Sequence, residues 1–358
     1  MAISKFGIGL LIAASPALAL AQSAIQYQQG DDNQAHLQQL GGIGSISQQY
    51  QDGTGNLSRT TQAGDYNHAQ VRQRSSFSEA VVTQDGNYNQ LRIYQGGSDW
   101  TRENVGGSGW RAEVVQLGNA NQVAMQQDDG FGSGAYLHQE GNRNIHQVRQ
   151  TGYPNRLEIS SIGDDNRVTV NQIDGFGTSR VAQLGNANQV SIEQRVFPYN
   201  GHIEVTQRGS ANQASINQRA SRFVQDGVVL EQVGSDNVMS VMQSHGSNGF
   251  RFVQNGNDNQ LDGWQAGPAL FVDGLSMGDR NRVDIVQVMH LADLQINQLG
   301  DDNVIETVQY DWHAKAAEID QIGNFNHAVL SQTVGLSSDQ IATITQHGNG
   351  NRATALQQ

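Results

Sequence analysis

The 358 residues include 41 glycines and no cysteine, are 6% aromatic and carry a formal net charge of −13. So little bulky apolar material does not fill two ordinary globular cores, and disulfide stapling is excluded. The acids are dispersed and no basic patch occurs, which argues against a nucleic-acid partner.

The first element is an export signal. Residues 1–21 hold Lys5, an apolar run from Phe6 to Ala14, a break at Pro16 and the small-x-small site Ala19-Leu20-Ala21, the pattern of a cleaved signal peptide. The mature, secreted chain is then 22–358. The apolar run is too short to span a bilayer, and no later segment reads as membrane-spanning.

From Gln28 onward the chain repeats Q-x-G-x-x-N-x-Φ-x-Φ-x-Q, where Φ is apolar, with glycines at 30, 53, 64, 86, 118, 141, 163, 185, 209, 234, 256, 278, 300, 323 and 348. All fifteen copies have Asn three residues and Gln nine residues after the glycine, and thirteen have Gln two residues before it. Most glycines lie 22 to 25 residues apart, but Gly53 and Gly64 are separated by 11, about half of that. One turn is therefore two strands. The intervening halves keep a weaker copy, as in Gln150 to Ser161.

Within a copy the apolar period is two, which marks strands and not helices. Val123 and Met125, Val168 and Val170, Val190 and Ile192, and Val283 and Ile285 share one face. The motif Asn and Gln have the same parity and point inward with them. Buried amides must be paired, and stacked identical turns pair each with its counterpart above and below. The fold class is all-β: a single solenoid of about fifteen two-strand turns over 22–358, with cross-β stacking. Its ladder residues are represented by Gln28, Asn33 and Gln39 at one end, Gln183, Asn188 and Gln194 in the interior, and Gln346, Asn351 and Gln357 at the other end. Gly30, Gly118, Gly185 and Gly348 form tight corners, where glycine tolerates backbone angles closed to other residues.

Two features depart from regularity. The stretch from Gly96 to Trp110 places Arg102, Glu103 and Asn104 where an inward strand should run, so a bulged or looped turn is expected there. Asp-Gly pairs at Asp52-Gly53, Asp85-Gly86, Asp174-Gly175, Asp226-Gly227 and Asp273-Gly274 interrupt the strands; they form turns and could also delay aggregation.

The copies Gln183-Leu184-Gly185-Asn186-Ala187-Asn188-Gln189-Val190-Ser191-Ile192-Glu193-Gln194 and Gln207-Arg208-Gly209-Ser210-Ala211-Asn212-Gln213-Ala214, the latter ending at Gln218, closely resemble the curlin repeat of curli fibre subunits. The resemblance spans nearly the whole mature chain. It implies a major-subunit-like structural subunit of an extracellular amyloid fibre in bacterial biofilm matrix, mediating adhesion and aggregation. It also implies export through an outer-membrane secretion pore, polymerisation with itself on a nucleator subunit, and no enzymatic activity or cofactor. This chain has more copies than the handful typical of that family. It also lacks the non-repeat segment that precedes the repeats in the family's major subunit.

Other chemistry is poorly supplied. The ten histidines are scattered, mostly at outward offsets such as His36, His68 and His327, with His146 the inward exception. Metal chemistry needs convergent ligands. The Gly-Asp-Asp-Asn corners at 30–33, 163–166 and 300–303 suggest calcium, but turn chemistry explains them more simply. The competing functional classes are a soluble solenoid adhesin or ligand-binding module, which needs capped ends and a regular outer face, a minor nucleator of the same fibre, and a β-helix enzyme, which needs a carboxylate or arginine cluster.

Overall fold

A computed structural model describes residues 22–96, 108–196, 201–220, 227–246, 248–311, 313–333 and 339–358. The expected signal peptide lies outside these residues, as do 97–107, with Arg102, Glu103 and Asn104 among them. Two compact units divide the chain, Met1–Ile173 and Asp174–Gln358.

Among the described residues there is no helix and there are twenty-nine strands, from β1 (Ser23–Gln29) and β2 (Gln34–Leu40) to β28 (Gln340–His347) and β29 (Arg352–Gln357). In each unit the chain alternates between two sheets, so every strand lies parallel to the one two places along: odd-numbered strands form one sheet and even-numbered strands the other. Each unit is thus a β-solenoid. Parallel neighbours need long connections, and here the opposite strand with its two corners supplies them.

The period-two pattern becomes burial directly. In β5 (His68–Arg74), Ala69, Val71 and Gln73 are buried between less buried neighbours. The apolar pairs Val123/Met125, Val168/Val170, Val190/Ile192 and Val283/Ile285 are all buried. Each turn therefore contributes a thin aliphatic layer flanked by amides. β2 and β29 keep the alternation, but their inward positions are only half-buried, because among the described residues no strand covers them on one side.

The number of turns comes out slightly below the fifteen expected. Gly53 and Gly64 open successive strands of one turn, β4 (Leu57–Ala63) and β5, so two copies share a turn. Those two glycines also mark a change of side. The copies at Gly30 and Gly53 precede the even-numbered β2 and β4, whereas the copies from Gly64 onward precede odd-numbered strands. After β4 the first three corners before even-numbered strands lack the motif Asn: Ser78, Trp110 and Ser133 occupy the places of Asn33 and Asn56, and Asn155 restores it at the next.

Candidate assembly surface

Within each unit the motif glutamines form side-chain ladders along both sheets, with Ser161 and Ser276 in place of glutamine at two of the even-numbered strands. In the first unit Gln28 Nε2 donates to Gln51 Oε1 at 2.7 Å, and Gln39 Nε2 to Gln62 Oε1 at 2.9 Å. In the second unit Gln183 donates to Gln207 at 3.0 Å, Gln194 to Gln218 at 2.9 Å, Gln321 to Gln346 at 2.7 Å and Gln332 to Gln357 at 2.7 Å. The amide has a second N–H, and it bridges the two sheets: Gln51 Nε2 also donates to the Gln34 carbonyl at 2.9 Å. An amide buried in a thin core is satisfied by this double use, and leaving it unpaired would cost about 1–3 kcal/mol.

The asparagines build a second ladder at the corners. Asn33 Oδ1 accepts from both the backbone N–H and Nδ2 of Asn56, while Asn33 Nδ2 donates to the Gly53 carbonyl at 2.7 Å. Asn188 Nδ2 donates to the Gly209 carbonyl at 2.9 Å, and Asn212 Nδ2 to Asn188 Oδ1 at 3.1 Å. Asn326 Nδ2 reaches the Gly348 carbonyl at 2.7 Å, and Asn351 Nδ2 reaches Asn326 Oδ1 at 3.0 Å. The corner glycines are what let those carbonyls approach. A Cβ on Gly30, Gly118 or Gly185 would stand 2.1, 2.2 or 2.0 Å from the carbonyl oxygen of Gly53, Gly141 or Gly209.

Two contributors were missed at the sequence level. The residue directly after most corner glycines stacks as well: Asp65 N donates to Asn87 Oδ1 at 2.8 Å, Asn87 Nδ2 to Asn119 Oδ1 at 3.2 Å, and Asn142 N to Asp164 Oδ1 at 2.8 Å. The enrichment of Asn, Asp and Ser at that offset was the available signal. The next residue along has positive φ, as in Tyr66 at 53° and Tyr88 at 60°, and these two rings stack with centroids 5.1 Å apart.

This ladder also employs the acids of the Gly-Asp-Asp-Asn corners. Asp164 accepts from Asn142, Asp301 N donates to Asn324 Oδ1 at 2.8 Å, and Asp165 and Asp302 make paired bonds with Arg143 and Arg280. Those hydrogen bonds hold both aspartate carboxyls below their usual range. Among the described residues no group of three or more His, Cys, Asp or Glu side chains is arranged to hold a metal.

His146 is fully buried between Val123 and Val168 on the neighbouring strands, its Nε2 2.9 Å from Ser161 Oγ. Burial, reinforced by His138, pulls its pKa down from 6.5 to about 3, so the ring is neutral at physiological pH. Gly96 ends the strand Gln90–Gly96, and Trp110 lies buried just before the strand Arg111–Leu117.

Among the described residues no strand lies beyond β1 and β2 in the first unit or beyond β28 and β29 in the second, and each of these edges is the start or finish of a ladder. At one, β1 and β2 present Gln28, Asn33 and Gln39; at the other, β28 and β29 present Gln346, Asn351 and Gln357. Gln183, Asn188 and Gln194 sit instead within a stack, bonded to the following turn. No helix among the described residues is long and apolar enough to cross a membrane. Neither a protein-family model nor a curated protein sequence matches the chain.

Proposed function

We propose that this protein is a structural subunit of an extracellular, curli-like amyloid fibre, exported through an outer-membrane pore and self-assembling end to end on a nucleator. The observation that carries this reading is the pair of parallel edges that no described strand covers, each ending in ladder amides and half-buried inward side chains. Natural proteins cover or blunt such edges, and an edge whose ladder repeats the interior is a template for another copy. The likeness of the repeat to curlin supports the same role in biofilm matrix, adhesion and aggregation.

The test is to release the purified 22–358 chain from denaturant. The expected result is conversion, after a lag, to fibres that bind amyloid dyes and give a 4.7–4.8 Å cross-β reflection. A soluble monomer that keeps its full β content indefinitely would overturn the proposal in favour of an adhesin or binding module.

A further inference from the structure

If copies join end to end, two pairings of the edges are available. β29 can lie beside β1 and β28 beside β2, or β29 beside β2 and β28 beside β1. The glutamine ladders do not discriminate, because Gln28 and Gln39 at one edge and Gln346 and Gln357 at the other place Gln on Gln in either case.

The corners do discriminate. At the first edge the motif corner Gly30–Asn33 precedes β2, with φ +96° at Gly30 and +55° at Asp32. At the other edge the corner Gly348–Asn351 precedes β29, with φ +105° at Gly348 and +68° at Gly350. The two corners share one backbone shape and one Asn position. Inside the second unit such corners stack directly, and a Cβ on Gly323 would meet the Gly348 carbonyl at 2.2 Å. A Cβ on Gly348 meets nothing closer than Asn351 Nδ2 at 3.5 Å, so the place of the next glycine carbonyl is open.

We infer that copies of this chain join with β29 of one beside β2 of the next and β28 beside β1, a docking that rests on the end-to-end fibre reading. In this pairing residues 341–358 fall on residues 23–40 as one block without insertion. Gln346 meets Gln28, Gly348 meets Gly30, Asn349 meets Asp31, Asn351 meets Asn33 and Gln357 meets Gln39. Each junction bond then copies one within the chain. Asn351 Nδ2 donates to the Gly30 carbonyl as Asn326 Nδ2 does to Gly348, and Asn349 N donates to the Asp31 carboxylate as Asp279 N does to Asp301 Oδ1 at 2.8 Å. The winding also continues, because within each unit every strand lies beside the one two places earlier and the next two positions after β29 are beside β28 and then beside β29.

The other pairing satisfies neither condition. It sets Asn351 opposite Gln22 and places Asn33 opposite Gln340, and it skips the position beside β28. The change of side between Gly53 and Gly64 thus has a role: it puts the motif corner before β2, where β29 requires it.

The absence of cysteine allows a clean cross-linking test. Facing residues on neighbouring parallel strands lie about 4.8 Å apart, within disulfide reach. Thr354 and His36, both exposed, face each other in the inferred docking, whereas Thr354 faces Ile25 in the alternative. Fibres of Thr354→Cys/His36→Cys and of Thr354→Cys/Ile25→Cys are grown reduced, oxidised, dissolved in denaturant and run on a non-reducing gel. A multimer ladder from the first variant with monomer from the second is expected. Multimers from the second variant, with or without the first, or from neither, would overturn this docking while fibres of the unsubstituted chain leave the end-to-end reading standing. Failure of the unsubstituted chain to form fibres would instead overturn that reading, and the docking with it.

Discussion

A Cβ placed on Gly118 would stand 2.2 Å from the carbonyl oxygen of Gly141, one turn further along the stack. Gly348 has the same φ of +105° but has no such carbonyl beside it. The pair separates backbone strain from close approach. Alanine at Gly348 is expected to cost about 1 kcal/mol, from φ alone. Alanine at Gly118 should cost roughly 1–3 kcal/mol more, because a carbonyl held in a ladder must move. Urea midpoints of freshly released monomer measure both, and equal losses would mean that turn spacing is not what demands glycine.

His146 predicts a pH dependence. An unfolded histidine takes up its proton near pH 6.5, whereas the folded one does so near 3. Between these values the unfolded state binds more protons, so this group's contribution is fully present above about pH 6.5 and is lost as pH falls toward 3. Val123 and Val168 flank it in register, so His146→Val keeps the core apolar and removes the titration. The stability lost between pH 7 and pH 4 should shrink by about 3 kcal/mol in the variant. Parallel stability-versus-pH curves for the two proteins would show that the imidazole is not held neutral.

Phe252 and Gly274 occupy facing inward positions on neighbouring strands, and a Cβ on Gly274 would lie 2.2 Å from the Phe252 ring. The missing side chain at 274 is filled by the oversized one at 252. Gly274→Val alone is expected to destabilise by roughly 1–3 kcal/mol through overpacking, although valine suits a strand better than glycine. Adding Phe252→Val should recover most of that loss. A double-mutant cycle with no coupling beyond about 0.5 kcal/mol would reject this account.

Alanine at the ladder positions tests growth. Replacing Gln183, Asn188 and Gln194 leaves partners such as Gln207, Gly209 and Gln218 short of donors inside a stack, and about 1–3 kcal/mol is lost for each buried group left unpaired. That set should lower monomer stability with a smaller effect on elongation. The sets Gln28/Asn33/Gln39 and Gln346/Asn351/Gln357 also leave Gln51, Gln62, Gln321 and Gln332 short of a partner and so lower monomer stability, but they should in addition slow seeded elongation at least about tenfold, equivalent to about 1.4 kcal/mol. Equal slowing by all three sets would reject growth by end-to-end stacking.

What could be read from the sequence was local or strictly periodic. The alternation around Val190 and Ile192 marks a strand because side chains of a strand alternate faces whatever surrounds them. The shared parity of Asn188 and Gln194 places amides on the buried face, and burial then demands a partner. Even the half-length step from Gly53 to Gly64 was visible as a spacing.

What that step does to the corners depended on the winding, since only the stacked turns reveal that Gly53 and Gly64 stand before strands of opposite sheets. The same holds for the cross-sheet bond from Gln51 to the Gln34 carbonyl, for the glycine carbonyl that each corner Asn contacts, and for the fit of Phe252 over Gly274. Each involves a neighbour one turn or half a turn away, at a separation that varies with the length of the intervening corner. Periodicity identifies which face a side chain occupies, and packing across that variable separation decides which atom it meets.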